Sequence, residues 1–155
     1  MRIALILALV TTSFCLQAEI LTYDKVLKNL KGIKEYENED FQSSEELFNE
    51  NSVNNPLDGR LHYNKANSQY KTGKLEEAEQ EYNLALKDNN FGNRSKALHN
   101  LGNIKFQQQD YKEAIKHFRN ALVEDPSNLD ARYNYELASR FLQQQQQQQQ
   151  QSQDN

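Results

Sequence analysis

A chain of 155 residues suffices for one domain, and a formal net charge of -4 gives no electrostatic case for binding nucleic acid or an anionic lipid surface. Hydrophobic residues make up 37% and charged residues 26%, with only 5 Gly and 2 Pro, a balance that favours long helices over a turn-rich β architecture. The single Cys excludes an internal disulfide framework.

Met1-Arg2 followed by the apolar run Ile3 to Val10 has the charge-then-hydrophobic order of a secretory signal, and that run is too short to span a membrane. The expected signal peptide is 1–18, cut after Ala18, which predicts a periplasmic protein with no direct membrane span in the mature chain. Lipid attachment at Cys15 is the competing reading. Phe14 is bulkier than the small residue such a site normally needs, so cleavage after Ala18 is preferred, and the mature chain then has no thiol.

The next segments repeat. Phe41, Ser44, Phe48 and Pro56 set a frame that returns at Leu75, Ala78, Tyr82 and Asn90 after 34 residues, and at Tyr111, Ala114, Phe118 and Pro126 after a further 36. Upstream of each set a small residue precedes an aromatic by four: Gly32 with Tyr36, Ala66 with Tyr70, Gly102 with Phe106. A small residue lets two helices approach closely, and the aromatic one turn on fills the same face, so each unit reads as a helix hairpin.

This spacing resembles the tetratricopeptide repeat, which carries a small residue and an aromatic in its first helix, then A-x-x-x-F and P in its second. The units are 25–58 (degenerate), 59–92 and 95–128, with Asn93-Arg94 between the last two as an insertion. The third matches best, with Leu98, Leu101, Gly102, Ala114, Phe118, Ala121 and Pro126 in place. Lys65 and Gln69 in the middle unit, and Asn51 in the first, replace apolar or small residues and put local packing there in doubt. Leu129, Tyr133, Leu137 and Phe141 then predict a capping helix over 129–142, before a Gln-rich tail at 143–155 that has no apolar face and is expected to fray beyond its start. The predicted fold is an all-α tetratricopeptide-repeat solenoid of about three hairpins and a cap, with helices near 25–37, 42–52, 59–72, 75–88, 95–108, 111–123 and 128–145.

No catalytic, cofactor or metal site emerges. His62, His99 and His117 have no spacing that puts two imidazoles on one turn, and Glu45-Glu46 and Glu76-Glu77 diverge around their helices. No phosphate loop or nucleophile elbow is present. The candidate site is the concave face of the first helices, lined by Arg60, Tyr63, Asn64, Asn67, Tyr70, Lys96, His99, Asn100, Asn103, Phe106, Tyr133 and Asn134, with Asp130 at its edge. Asn64, Asn100 and Asn134 hold equivalent places. Their amides could pair with the C=O and N–H of an extended chain. Asn67 and Asn103 would form a second rung, Tyr70 and Phe106 would add aromatic contacts, and Arg60, Lys65 and Lys96 would favour an acidic or C-terminal carboxylate segment. The competing reading is that these asparagines only support inter-helix geometry.

The strings His62-Tyr63-Asn64-Lys65-Ala66-Asn67, Asn100-Leu101-Gly102-Asn103 and Arg132-Tyr133-Asn134-Tyr135-Glu136-Leu137-Ala138, running into glutamines, resemble the small tetratricopeptide protein of bacterial Bat (aerotolerance) operons, over roughly 25–150. That resemblance implies a periplasmic adaptor beside membrane-anchored von Willebrand factor A proteins, in a stress-tolerance system, with no catalytic residues. The leading expectation is thus a non-enzymatic adaptor that binds protein partners through its groove. The alternative is a structural subunit of cell-envelope or outer-membrane assembly that uses its convex face and tail.

Overall fold

A computed structural model describes residues 23–153. The expected signal segment 1–18 lies outside the described residues. Seven helices and no strand occur among them: α1 (23–37), α2 (Phe41–Asn54), α3 (Gly59–Lys71), α4 (Leu75–Ala85), α5 (Arg94–Gln107), α6 (Tyr111–Glu124) and α7 (Leu129–Gln153). The helices pair as α1 with α2, α3 with α4, and α5 with α6, and α7 lies against α6 and α5. This is the expected solenoid.

The small residues work as the spacing implies. A Cβ placed on Gly32 would lie 2.8 Å from the Phe48 ring, and one on Gly102 would lie 2.4 Å from Phe118. Each glycine is therefore the seat of the aromatic from its paired helix. Within each hairpin the first helix ends on a left-handed residue, at Glu39 (φ 63°), Gly73 (φ 78°) and Gln109 (φ 61°). The next residue's N–H then reaches back to the carbonyl five positions earlier, at 3.0 Å from Asp40 to Glu35, 2.9 Å from Lys74 to Gln69 and 2.9 Å from Asp110 to Lys105. Asp40 and Asp110 go on to cap α2 and α6 by accepting from Ser43 and Glu113.

The polar replacements in the first two units are packed rather than loose. Asn51 is buried and donates to the Lys25 carbonyl at 2.9 Å. Gln69 is buried and donates to Glu45 at 3.1 Å, while its side-chain amide oxygen finds no partner among the described residues. Ser44 and Ser68 share a buried 2.9 Å contact across the first two units. This seam is held by hydrogen bonds, whereas the third unit closes on Leu98, Leu101, Ile104, Phe118 and Ala121.

The tail departs from expectation. The helix continues through the glutamines to Gln153. Leu129 to Leu142 supplies the nucleus, Gln is a good helix former, and no Gly or Pro interrupts, so extension costs little per residue.

His62 on α3 sits between two acceptors, with Nδ1 2.6 Å from Glu81 and Nε2 2.9 Å from the Pro56 carbonyl. Both ring nitrogens must donate, so the cation is favoured: the Glu81 hydrogen bond raises the imidazole above its ordinary 6.5 against the opposing effect of burial. Glu81 is desolvated, yet His62 and Lys65 together hold it below the usual carboxylate range. The stabilisation from His62 is full below pH 6.5 and is lost as pH rises through the raised folded value. His99 and His117 are pushed down by burial and act in the opposite direction. The melting-temperature gap between wild type and His62→Gln should therefore shrink from pH 6 to pH 9; a gap independent of pH would show that His62 is not charged in the fold.

Candidate functional site

The first helices α1, α3 and α5, with the start of α7, place side chains thirty-odd residues apart side by side, and the asparagines meet there. Asn64 donates to Asn29 at 3.5 Å. Asn100 donates to Asn67 at 3.1 Å and to the Tyr82 hydroxyl at 2.9 Å, and that hydroxyl donates to Asn67 at 2.7 Å. Asn134 donates to Asn103 at 2.9 Å and to His99 Nε2 at 3.0 Å. An amide nitrogen carries two hydrogens, so Asn100 and Asn134 have both committed within the array. The asparagines therefore serve inter-helix geometry, and the expected two-sided pairing with a bound chain is corrected: Asn100 and Asn134 have only an oxygen left to offer it.

The cations are redistributed too. Arg60 pairs with Asp58 at 2.8 Å, and Lys25 holds the same carboxylate at 2.7 Å, so that Asp58 stays far below the usual range. Lys65 leaves the groove to bind Glu81 at 2.7 Å and Asn49 at 2.8 Å. Only Lys96, of the three expected cations, is exposed with no ion pair among the described residues. Its neighbourhood is a pocket of about 650 Å³ lined by Tyr63, Lys96, His99, Asn100, Asp125, Ser127, Asn128, Leu129 and Asp130. One cation faces two carboxylates there, which removes the expected preference for strongly acidic segments.

The aromatics divide into support and surface. Tyr63 is half-buried against Tyr82 and Phe91, with ring centroids at 5.8 and 5.4 Å. Phe106 does not stand open: it is packed edge-on to Tyr111 at 5.3 Å and to Phe141 of α7 at 5.4 Å. The expectation of a free Phe106 contact fails because α7 covers that end of the groove. Tyr70 is half-buried and its hydroxyl accepts from Gln107. Tyr133 is 60% exposed and Leu129 71% exposed, so the open apolar surface sits at the start of α7.

Sequence reasoning missed Asp125, Ser127, Asn128 and Leu129. Asp125-Pro126 was visible as a helix stop, but the groove role of its loop depends on α7 folding back. Asn128 fixes that return by accepting from Ala131 N–H at 2.9 Å and donating to the Ser95 hydroxyl at 2.9 Å. Among the described residues no group of three His, Cys, Asp or Glu could hold a metal ion, and no helix is long and apolar enough to cross a membrane.

Stacked helix hairpins with a one-sided groove define a repeat-array scaffold. Tetratricopeptide repeat models match residues 29–93 and 95–128, and the chain belongs to the tetratricopeptide-repeat family. Solved structures share the fold. The first TPR of Spaghetti (RPAP3) bound to HSP90 peptide SRMEEVD is 24% identical with a TM-score of 0.72, covering 77% of this chain and 93% of that one. The Arabidopsis OM64 TPR domain is 23% identical with a TM-score of 0.69, covering 74% and 93%. The Sgt2 TPR domain from Aspergillus fumigatus is 18% identical with a TM-score of 0.72, covering 79% and 82%. At these identities the likeness is one of fold. No curated protein matched the chain.

Proposed function

We propose that the protein is a periplasmic adaptor that binds an extended segment of a partner protein in its concave groove and catalyses no reaction. The observation that carries this reading is the pocket at the α3–α5–α7 junction, where Lys96 and Leu129 stay exposed, with Tyr133 exposed one turn further along α7, while Asn100 in its lining and the neighbouring Asn134 are locked by hydrogen bonds to other asparagines. A rigid floor with an exposed aromatic and one free cation suits binding, because little side-chain freedom is lost when a ligand docks. The mixed charge of the pocket favours a segment with apolar anchors and at most one carboxylate. A similar fold holds a short peptide in the Spaghetti structure named above.

Export rests on the charge-then-apolar order of residues 1–18. The Bat-type assignment rests on the asparagine-containing strings of α3, α5 and α7, and it supplies the partner class: membrane-anchored proteins with a von Willebrand factor A domain. The second reading, a structural subunit of envelope assembly, draws on the glutamine rod of α7, which extends beyond the packed array.

The test uses the soluble domain of a von Willebrand factor A protein encoded beside this one and measures its affinity for wild type, Tyr133→Ala and Lys96→Glu. Both positions are exposed, so circular dichroism should be unchanged. Each change should weaken binding about tenfold. Full affinity in both variants would move the contact off the groove and favour the assembly reading.

A further inference from the structure

The two ends of the array are finished differently. At the C-terminal end, α7 buries Ala131 and Ala138 and turns Arg132, Glu136 and Arg140 outward, so that the last helix closes the stack with a charged surface. The N-terminal end has no such finish among the described residues. Helix α1 seats Gly32 and Lys25 against α2 and the α2–α3 loop and leaves Tyr23 67%, Val26 48%, Leu27 46% and Leu30 57% exposed. Tyr23, Leu27, Leu30 and Lys34 follow steps of four, three and four along one side of α1, the spacing of a helix-pairing seam. Repeat stacks bury each face only against a neighbour, and this face has none among the described residues.

We propose that α1 is the contact face of a symmetric homodimer, in which the α1 helices of two copies pack antiparallel across a two-fold axis near Leu27 and Leu30. Charge selects both occupant and direction. Asp24 and Lys31 flank the apolar stripe on the same side. In an antiparallel pair each side of the seam faces its own copy in reverse, so Asp24 of one protomer approaches Lys31 of the other, twice by symmetry. A parallel pair would oppose Lys31 to Lys31. Asp24 pairs with its own Lys28 at 3.0 Å and keeps about half of its side chain exposed, whereas Lys31 and Lys34 are exposed with no ion pair among the described residues. Head-to-tail stacking is disfavoured, because it would bury the outward Arg132, Glu136 and Arg140 against the apolar stripe. A self-complementary patch matches the isologous geometry of two-fold dimers.

The four apolar side chains offer roughly 400 Å² per protomer, and with the lysine stems a pair would bury on the order of 1,000 Å², the lower end of specific interfaces. An interface of that size belongs with weak, reversible associations rather than with obligate dimers. The groove is untouched, so dimerisation and partner binding fail independently.

Sedimentation equilibrium of the protein purified from an exporting host, between about 1 and 200 µM, should show a monomer–dimer equilibrium. Leu27→Glu with Leu30→Glu should weaken it at least about tenfold at unchanged helix content. Asp24→Lys should weaken it about threefold or more, and adding Lys31→Asp should restore it, since the swap rebuilds both cross-dimer pairs. A monomer throughout that range overturns the proposal. So does dimerisation that survives the double Glu change, or a chain that dimerises only when it starts at Tyr23, which would mean that preceding residues cover α1.

Discussion

Phe118→Ala should lower the unfolding free energy by about 3–5 kcal/mol, the largest effect expected from any single change in the third repeat. The ring is fully buried, rests on Gly102 and packs at a tilt against His99 with centroids 5.7 Å apart, so truncation opens a void between α5 and α6 and towards the Ala138 side of α7. Gly102 gives this prediction a control. With Phe118 present, Gly102→Ala forces a methyl to 2.4 Å from the ring and should destabilise on its own. In the Phe118→Ala background the same methyl enters empty space and should return part of the lost stability, so the two changes are coupled and not additive. Denaturant unfolding monitored by far-ultraviolet circular dichroism measures all four members of the cycle. An unchanged midpoint for Phe118→Ala would mean that the glycine–aromatic seat does not hold the repeat together.

Asn100→Ala should cost about 1–3 kcal/mol of stability whether or not a partner is present. Its amide is a corner of a closed triangle with Asn67 and the Tyr82 hydroxyl, and Tyr82 is buried enough that its phenol lies far above its ordinary value, with burial the main cause. Removing Asn100 strips the hydroxyl of its donor and Asn67 of one of its two. Asn67→Ala should cost a similar amount, because it leaves the buried Tyr82 O–H without an acceptor. Tyr82→Phe should be milder, about 0.5–1.5 kcal/mol, since both asparagines can still meet. The double change at Asn67 and Asn100 should fall short of the sum of the singles, because both remove the same triangle. Thermal melts of the unliganded variants decide the matter: melting temperatures equal to wild type, with partner affinity lost, would return the amides to the role of direct ligands.

The fold was legible because its signals are local and repeated. A small residue and an aromatic four apart, then Ala or Ser with an aromatic four later, impose the same hairpin three times, and the helix boundaries follow from stops such as Asp125-Pro126 and from caps such as Asp40 and Asp110. Glu39 and Gln109 were not readable as left-handed turn residues, since neither is Gly. Their conformation becomes evident only by equivalence with Gly73, together with the reverse hydrogen bonds that close each helix.

The sequence by itself determined the all-α repeat and which side chains share a face of each first helix, because helical periodicity assigns a face without knowledge of the neighbouring helix. It could not say which of those side chains stay available to a partner. That was decided between helices, by pairs more than thirty residues apart: Asn100 with Asn67, Asn134 with Asn103, and Phe106 under Phe141. Lys65 and Lys96 look alike in the chain, yet Lys65 is neutralised by Glu81 on the facing helix and Lys96 is not. Hydrogen-bond and charge partners depend on distances of a few ångströms across the array, and periodicity along one helix carries no information about them.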